Sequence, residues 1–588
     1  MIYENYIRVL NIDMATQKAR VDEREDLMPY LGGGGVAAKL LEENMHPELP
    51  PLDPAQPVVF AIGPLNHLFP VMTKTVAAFI SPLTGEYGES HAGGRLGTML
   101  FQAGFDAIVI TGRAVHPMFL SIKPHGFIFR DARPMWDTDS DQSVGRVLRE
   151  LEPGSGKHSI IRIGPAGENL VSFASVVVDH YRHFGRLGLG AVLGSKLLKA
   201  ITVSGGRDIP IRDVKAYFTA YRAINEKCVS TDMMAKYHDV GTPINIAPLN
   251  AVGALPTLNL QQAHYDGADA VSGETFAQET LVRKIACTGC PVGCIHVGQF
   301  RRAFAEQGYE YETVSVGYDY ELIFSLGTFL GIGSTTEILE LIDTVEEAGL
   351  DAMSAGVVLG WATEALSKGL ITQEQTLVPL AFGNKAAYIE AIRHIAKPKN
   401  EFYRDLGRGS RYASKKYGGA DFAMQVAGNE MAGYHTGYGA LIGAAVGARH
   451  SHLCNAGYSI DQSAKEEMSP DALLDALEKE EIERCMLNSL VMCLFARKVY
   501  DRPTILMAFH AIGRDMTDQE LSDIALRNYQ TKLRVKKALG FKLEDIKLPK
   551  RFFETPSMHG KLDEETAKRM LADYQQRVAA LIEGAETK

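Results

Sequence analysis

Three cysteines stand close together in this chain, as Cys287, Cys290 and Cys294 in the segment ACTGCPVGC. Thiolates at this spacing can bind one metal centre from a short loop, and the two intervening glycines let the backbone turn tightly around it. A fourth candidate ligand, Cys493, follows about two hundred residues later. Four thiolates are the ligand set of a [4Fe–4S] cluster, so the sequence predicts a protein that carries electrons.

A structural zinc site is the alternative for the cysteine triplet. Zinc sites of this kind usually have a second Cys-x2-Cys pair at short spacing, and its absence favours the cluster. Cys493 is less certain by itself, since a cysteine on a helix is often simply part of the core. The remaining cysteines, Cys228, Cys454 and Cys485, are expected to be buried as small apolar residues.

Composition limits the classes of protein. The chain has 588 residues, 46% apolar and 22% charged, which is typical of a globular protein of several domains. Its net charge of −10 argues against nucleic acid or an anionic membrane as the main partner. There is no apolar run long enough for a membrane helix and no secretory signal pattern. Seven cysteines, an odd and sparse set, indicate a reducing compartment, so we expect a cytoplasmic protein.

The first third of the chain is predicted to be rich in strands. Short apolar runs bounded by glycine or proline, such as VVFAIGPL and DAIVITG, are typical of buried strands. YIRVLNID and KARVDE flank the turn MATQ as a hairpin, and SIKPHGFIFRD predicts a second hairpin that turns at Pro124–Gly126.

From about Ile211 the spacing of apolar residues becomes helical. One predicted helix follows a capping box of Ser334 and Glu337 and ends at Gly349. These patterns predict an α+β fold, with a β-rich domain followed by two mainly helical ones. The predicted boundaries are 1–208 for the β-rich domain, 209–410 for the domain with the cysteine triplet, and 411–588 for the domain with Cys493.

A later helix is predicted to start at Ser469–Pro470, with serine as its cap and proline in its first turn. Its apolar stripe continues towards Cys493.

Two segments of the first third, residues 81–114 and 163–205, have an unusual pattern of glycines and charged residues. Together with LGGGG at 31–35 and the cysteine triplet, they resemble the aldehyde:ferredoxin oxidoreductase family of tungsten enzymes with a bis-pterin cofactor. The resemblance covers nearly the whole chain in the same order. It implies a base of β-sheet beneath two pterins, covered by two mostly helical domains, and a [4Fe–4S] cluster held by Cys287, Cys290, Cys294 and Cys493.

The resemblance also implies which residues line the pterin groove. Gly93 and Gly94 match a segment where the family's backbone approaches the cofactor, and there His91 replaces an asparagine. A histidine still donates one hydrogen bond. Lys74 replaces an arginine between cluster and pterin, which keeps the charge but loses the planar fork.

A second pterin-contacting turn is implied at Arg182, Gly185, Arg186 and Gly188. The alternative for these residues is an ordinary glycine-rich turn with surface arginines.

Two paired motifs complete the implied groove. The first runs from Glu346 to Asp351, where Glu346, Leu350 and Asp351 match cofactor-binding positions. Its Gly349 fits a helix cap equally well, and both roles are compatible. The second runs from Asn488 to Cys493 and departs from the family at three positions, so that Asn488 offers an acceptor without a charge.

The resemblance implies a catalytic carboxylate and a catalytic imidazole, the groups that could move protons during an oxidation. Glu312 in YEYETVS and His452 in ARHSHLCNAG match these positions. A salt-bridged carboxylate is the alternative for Glu312, and His450 competes with His452. The family has a cofactor-binding arginine one position earlier, and Arg449 is expected to take over its role in this chain.

Tyr434 and His435 replace a family segment that carries acid and base residues, which indicates a different substrate pocket.

The expected activity is oxidation of an aldehyde by water to a carboxylic acid, with electrons leaving through the cluster to ferredoxin or an iron–sulfur partner subunit. Molybdenum would suit the same pterin ligands as tungsten. The resemblance is compatible with a homo- or hetero-oligomer. The alternatives are the tungsten subunit of a complex that reduces an acyl-CoA ring, and a non-catalytic electron-transfer subunit.

Overall fold

The computed structural model describes residues 4–124, 126–138, 140–152, 157–209, 211–304, 310–464, 466 and 468–586. Two six-stranded sheets form the first third of the chain. The first sheet contains β1 (Ile7–Asp13), β2 (Lys18–Arg24), β3 (Val58–Ala61), β4 (Thr75–Ile80), β5 (Tyr87–Ala92) and β6 (Ala107–Thr111), in the order β2-β1-β6-β3-β4-β5. The β1–β2 hairpin is confirmed, and β1 also pairs in parallel with β6.

The second sheet has the order β11-β10-β9-β12-β7-β8. Its strands are β7 (Met118–Lys123), β8 (Gly126–Asp131), β9 (His158–Arg162), β10 (Val176–Val178), β11 (Arg182–Phe184) and β12 (Leu198–Ser204). The pairing of β7 with β8 confirms the second predicted hairpin, although His125 of its turn lies outside the described residues.

One apolar core joins the two sheets, with Val9 and Ile108 from the first and Leu120 and Ile201 from the second. Five helices belong to this region: α1 (Gly33–Asn44), α2 (Leu96–Ala103), α3 (Asp141–Leu151), α4 (Pro165–Glu168) and α5 (Leu189–Ser195). The continuous apolar runs predicted as strands are therefore buried on both faces.

The rest of the chain is mainly helical, which confirms the α+β fold. The next helices are α6 (Val214–Ser230), α7 (Asp232–Asp239), α8 (Ile246–Ala251), α9 (Gly273–Glu279), α10 (Tyr320–Leu326), α11 (Thr335–Ala348), α12 (Ala352–Ser367), α13 (Gln373–Thr376), α14 (Lys385–Ala396), α15 (Glu401–Leu406) and α16 (Ser410–Tyr417). They are followed by α17 (Tyr438–Val446), α18 (Gly457–Ser463), α19 (Pro470–Ser489), α20 (Arg502–Ala511), α21 (Asp518–Ala538), α22 (Arg551–Glu554) and α23 (Glu564–Glu586).

A three-stranded antiparallel sheet interrupts these helices and was not predicted. It contains β13 (Leu281–Ile285), β14 (Ile295–Ala303) and β15 (Tyr311–Tyr318). The loop between β13 and β14 carries the cysteine triplet, so a sheet rather than a helix positions it. A two-stranded ladder, β16 (Gln425–Val426) and β17 (Asn429–Glu430), lies further along the chain.

The predicted helix caps are only partly confirmed. Gly349 ends α11 in the left-handed conformation, with φ +72°. Ser334 precedes α11, but its side chain makes no capping hydrogen bond, so the predicted capping box is wrong. At α19 the hydroxyl of Ser469 accepts a hydrogen bond from the backbone N–H of Ala472, as predicted.

No single helix in the described part of the chain is long and apolar enough to cross a membrane. The helices Tyr320–Leu330 and Thr335–Ala348 meet that criterion only as a pair, which bends by 110° at its break.

The C-terminal end of α19 is held against the β-rich region by close backbone packing. A Cβ at Gly33 would lie 2.5 Å from the Asn488 carbonyl oxygen, and one at Gly63 would lie 2.6 Å from that of Leu490. Glycine is therefore required at both contacts, because any larger side chain would separate the two regions. This packing fixes the segment that leads to Cys493.

Candidate functional site

The four predicted cluster cysteines come together in the structure. The pKa of Cys290 is raised to about 12, mainly by burial and also by the neighbouring thiols of Cys493, Cys294 and Cys287. All four side chains are partly buried and none forms a disulfide. The three leftover cysteines are buried, as predicted. The convergence of residues two hundred positions apart makes Cys493 more than a core cysteine.

The loop of the cysteine triplet is closed by two left-handed glycines, Gly289 with φ +76° and Gly293 with φ +62°. The N–H of Cys290 donates to the Cys287 carbonyl at 3.0 Å, and the N–H of Thr288 donates to the Gly94 carbonyl at 3.1 Å. The loop is thereby bound to the segment after β5.

The fourth cysteine is anchored by a pair of backbone hydrogen bonds. The N–H of Cys493 donates to the Val71 carbonyl at 3.1 Å, and the N–H of Lys74 donates to the Val491 carbonyl at 3.0 Å. These two bonds form a clamp between the segment 71–74 of the β-rich region and the segment 491–493.

Two cations and one glycine border the thiols. A Cβ at Gly93 would lie 2.6 Å from Cys287 Sγ, 3.4 Å from Arg182 Cδ and 3.5 Å from Lys74 Nζ. Burial raises the pKa of Cys294 to about 11, although Arg182 and Lys74 oppose the rise. Lys74, Gly93 and Arg182 therefore meet the cluster cysteines directly, between the thiols and the groove.

The thiol arrangement suits a polynuclear cluster. Among the described residues, no three histidine, cysteine or carboxylate side chains converge closely enough to hold a single metal ion. Four thiolates are the ligand set of a [4Fe–4S] cluster, and the chemistry of these four side chains fits that group.

The implied second pterin turn opens into free space. A Cβ at Gly185 would meet no atom within 4 Å, whereas one at Gly188 would lie 2.1 Å from the Ser172 carbonyl oxygen. The guanidinium of Arg186 donates to Asp351 Oδ2 at 3.2 Å and to the Glu430 carbonyl at 2.7 Å. Arg186 and Asp351, from two different implied motifs, are thus brought into direct contact.

The other two residues of the first paired motif differ in their surroundings. Burial raises the pKa of Glu346 to about 8, and its Oε1 lies 4.0 Å from Nε2 of His183. Leu350 is buried and its backbone bridges to Ala174. A neutral Glu346 side chain can donate a hydrogen bond as well as accept one, which suits a pterin ring.

A third group of predicted residues surrounds Glu89, which sequence reasoning missed. Nε2 of His91 lies 2.9 Å from Glu89 Oε1, the Arg449 guanidinium donates to the Glu89 carbonyl at 2.9 Å, and Lys532 Nζ lies 2.6 Å from Glu89 Oε2. Burial would raise the pKa of Glu89, but Lys532, His91 and Arg449 hold it well below the usual value. Arg449 is buried and paired with Glu89. Arg449 and the buried Asn488 line one small cavity beside this pair.

His452 lies in a partly buried aromatic cavity beside a carboxylate. Its Nε2 is 3.2 Å from Oε1 of Glu321, and within the described part of the chain neither that Oε1 nor Nδ1 of His452 has a hydrogen-bond partner. The rings of Tyr434 and Tyr458 stack at 4.0 Å between centroids and contact the imidazole at 5.6 and 5.8 Å. The cavity has a free volume of about 30 Å³ and is also lined by Arg186.

Both groups of this pair are neutral at pH 7. Burial raises the pKa of Glu321 to about 8, although the Gly433 N–H donates to its Oε2 at 3.0 Å. Burial lowers the pKa of His452 well below its usual value, and Arg186 contributes to this decrease. A carboxyl group that holds a proton beside a neutral imidazole is a pair suited to proton transfer.

The assignment of Glu312 to this site needs correction. Glu312 lies on β15, its side chain is 37% exposed, and it is paired at 2.5 Å with Arg302, which also binds Asp343. This is the salt-bridged carboxylate that the sequence left as the alternative. Glu321, nine residues later in the first turn of α10, is the carboxylate that reaches His452.

The structure also separates the two candidate histidines. His450 Nε2 lies 2.9 Å from Oε2 of Glu86 and 2.9 Å from Lys536 Nζ, away from Glu321. His435 Nε2 lies 2.9 Å from the Thr555 carbonyl. The sequence signal for Glu321 was available in YDYELIF, where a capping aspartate precedes a glutamate in an otherwise apolar helix start.

Comparison with known proteins defines the class. Two family models match, described as "Aldehyde ferredoxin oxidoreductase, N-terminal domain" over residues 9–205 and "Aldehyde ferredoxin oxidoreductase, domains 2 & 3" over residues 219–578. The chain belongs to the aldehyde ferredoxin oxidoreductase family. The resemblance seen in the sequence is confirmed, and with it the tungsten, pterin and iron–sulfur chemistry of that family.

Individual relatives show the breadth of that family. The chain is 32% identical to the tungsten-containing aldehyde ferredoxin oxidoreductase of Pyrococcus furiosus, over 97% of this chain and 96% of that protein. The corresponding protein of Thermococcus kodakarensis is also 32% identical, over 95% and 93%. An "Aliphatic sulfonate oxidoreductase, WOR-like subunit" of P. furiosus is 26% identical, over 88% and 84%.

A solved structure shares the fold. The BamBC active-site complex of benzoyl coenzyme A reductase with 1,5-dienoyl-CoA matches with a TM-score of 0.80 and 18% identity, over 97% of this chain and 94% of that one.

Proposed function

We propose that this chain binds a tungsten bis-pterin cofactor and one [4Fe–4S] cluster, and oxidises a small aldehyde with water to a carboxylic acid. The contact of 3.2 Å between Glu321 and His452, in a buried cavity, carries the proposal. Electrons are proposed to leave through the cluster to ferredoxin or an iron–sulfur partner subunit. The relatives' printed names support this choice of substrate and acceptor.

The chain offers suitable partners for both groups. Cys287, Cys290, Cys294 and Cys493 would hold the cluster, and Lys74 and Arg182 would lie between cluster and pterin. Open space at Gly185 leaves room for a flat ligand. The metallopterin, when bound, supplies the two-electron oxidation that no amino-acid side chain provides.

The proposed roles of Glu321 and His452 follow from their protonation. Glu321 is the base, because its carboxylate form, present above about pH 8, can accept a proton during attack by water. His452 remains neutral, and its unpartnered Nδ1 can bind a substrate proton or orient a carbonyl through a water molecule. The stacked rings of Tyr434 and Tyr458 exclude bulk solvent from this pair.

The aromatic lining of the cavity supports a small substrate. Tyr434, Tyr458 and Phe552 surround the space beside His452 and suit a short or flat aldehyde. An acyl-CoA thioester would need a far larger opening beside His452. Simple aldehydes are therefore favoured over the ring-reducing alternative.

Metal analysis and turnover test the proposal together. The chain is purified without oxygen, and tungsten, molybdenum and iron per chain are measured by plasma mass spectrometry. We expect about one tungsten with about four irons, and reduction of a viologen dye by short aldehydes. Iron without tungsten or molybdenum would support an electron-transfer subunit instead, and a loaded protein that oxidises no aldehyde would refute the substrate class.

A further inference from the structure

A second ionisable group borders the same cavity and has no role in the chemistry above. His450 lies two residues before His452 but faces Glu86 and Lys536, and each pair among these three side chains is 2.9 Å apart. The three residues are buried and come from three separate parts of the chain. We call this group the Glu86 triad.

The Glu86 triad lies between two cavities. On one side, His450 lines the cavity that contains His452. On the other side, Glu86 lines a surface cavity of about 830 Å³ with Arg411 and Phe541. The Glu86 side chain is 10% exposed, whereas that of His450 is 1% exposed. The triad therefore places three polar side chains in contact between the two cavities.

We propose that the Glu86 triad is the route by which protons leave the reaction cavity. This inference rests on the proposed function, in which R–CHO + H₂O gives R–COO⁻ + 3 H⁺ + 2 e⁻. The electrons pass through the cluster to a one-electron carrier, and the oxygen comes from water. The protons leave by a route separate from that of the electrons, and His450 is the ionisable group that lines the cavity on the side of Glu86.

The contacts of each group fit this transfer. The His450 imidazole takes up a proton at Nδ1, which lies 3.2 Å from the carbonyl of Ala444, a residue that lines the reaction cavity, as the proton on Nε2 passes to Glu86 Oε2. Glu86 then releases it to water in the surface cavity. Lys536 is fixed 3.7 Å from the centroid of the Phe541 ring and keeps the carboxylate in its anionic form between transfers.

The electrostatics of Glu86 favour rapid release of the proton. Burial would raise its pKa, but Lys536 and His450 lower it to about 2. A protonated Glu86 is therefore short-lived, and cavity water takes its proton. Arg411 of α16 is a further cation, and its charge interacts with that of Glu86.

The first test uses Glu86→Gln, with Asp421→Asn as the matched control. Asp421 lines the same surface cavity and pairs with Lys550 at 3.3 Å, outside the triad. In E86Q we expect kcat to fall at least about tenfold with KM unchanged, as is usual when a proton-transfer group is lost. The solvent deuterium isotope effect should increase, and formate should restore part of the rate. D421N should behave as the unmodified protein.

A conservative variant separates transfer from folding. Glu86→Asp keeps a carboxylate at the same position, so it should retain more activity than E86Q. An E86Q protein with full metal content, unchanged kcat and an unchanged isotope effect would overturn the relay.

A second measurement does not depend on activity. Deuterium exchange at C2 of each histidine ring, followed by mass spectrometry across pH, reports access and pKa. We expect His450 to exchange, and E86Q to lower its pKa by removing the carboxylate that opposes Lys536, while His452 is unchanged. If the chain oxidises no aldehyde, the proposed function fails, and exchange at His450 still decides the relay: no exchange would overturn it.

Discussion

Glu312 and Glu321 differ in the exposure of their carboxylates to solvent, and this difference decides their roles. The Glu312 side chain is 37% exposed and paired with Arg302, whereas that of Glu321 is only 17% exposed and lies beside His452. We expect Glu321→Gln to lower kcat by about 10²–10⁴ with metal content unchanged, because it removes the base. Glu312→Gln is the control and should retain activity within about twofold, as a surface ion pair contributes little.

The pH profile is a second measurement on the same variant. The carboxylate form of Glu321 is the active one, so kcat/KM should rise with pH and level off above about 8. E321Q should lack this rise. The reverse result, with E312Q inactive and E321Q active, would return the role to Glu312.

Gly93 has no space for a side chain. In Gly93→Ala the new Cβ would lie 2.6 Å from Cys287 Sγ, so we expect loss of cluster iron and of its visible absorbance. Gly206→Ala is the control, since a Cβ there would meet nothing within 4 Å. Iron content equal in both variants would show that the thiols can shift.

The site was predictable where residue type alone identifies the chemistry. Thiolates at close spacing indicate a cluster wherever they fold, so all four cysteines were predicted as ligands, and the structure brings them together. Glu312 and Glu321 both follow tyrosine in similar segments, and only burial distinguishes them. Glu89 was missed because two of its three partners, Arg449 and Lys532, lie on distant parts of the chain.

At the scale of elements, the end of α11 is held by two glycines. Gly349 has φ +72°, and a Cβ on it would lie 2.8 Å from the Gly164 Cα. Gly349→Ala should therefore lower the free energy of unfolding by about 2–4 kcal/mol, from the left-handed backbone and the clash together. Denaturant unfolding would measure this.

Gly369 provides the matched control for that backbone effect. Its φ is +69°, and a Cβ there would meet nothing within 4 Å. Gly369→Ala should cost only about 1–2 kcal/mol. Equal losses in the two variants would show that the packing against Gly164 contributes nothing.

Elements with a regular apolar period were predicted well. The β1–β2 hairpin and the helices α6, α11 and α19 follow their patterns because one face is buried throughout. The sheet of β13 to β15 was missed because its strands are partly exposed, so their alternation is weak. The prediction of a capping box was wrong because the side chain of Ser334 makes no hydrogen bond to the helix. The spacing of residues does not determine the rotamer of that side chain.

At the scale of the whole molecule, Lys532 of α21 and Glu89 of β5 join the C-terminal helices to the first sheet. Both side chains are buried and lie 2.6 Å apart. Lys532→Met should lower the free energy of unfolding by about 3–5 kcal/mol, because it leaves a buried carboxylate without its main cation. Lys568→Met, at an exposed ion pair, should leave the unfolding midpoint unchanged.

Acid unfolding gives an independent measurement of that pair. The folded pKa of Glu89 lies well below its usual 4.5, so its stabilisation is complete above 4.5 and is lost only as pH falls through the folded value. Without Lys532 that folded pKa rises, so K532M should unfold at a higher pH by circular dichroism. An unchanged acid midpoint would contradict the pairing.

The clamp between the segments 71–74 and 491–493 has a consequence for biosynthesis. Cys493 and its clamp emerge from the ribosome about two hundred residues after the triplet, when the first sheet has long been available. A nascent chain therefore presents three thiols without the fourth, open to dioxygen and to the wrong metal. Cluster insertion must wait until Cys493 and its clamp have been synthesised, so the three thiols of the triplet stay sensitive to oxygen while about two hundred further residues are added.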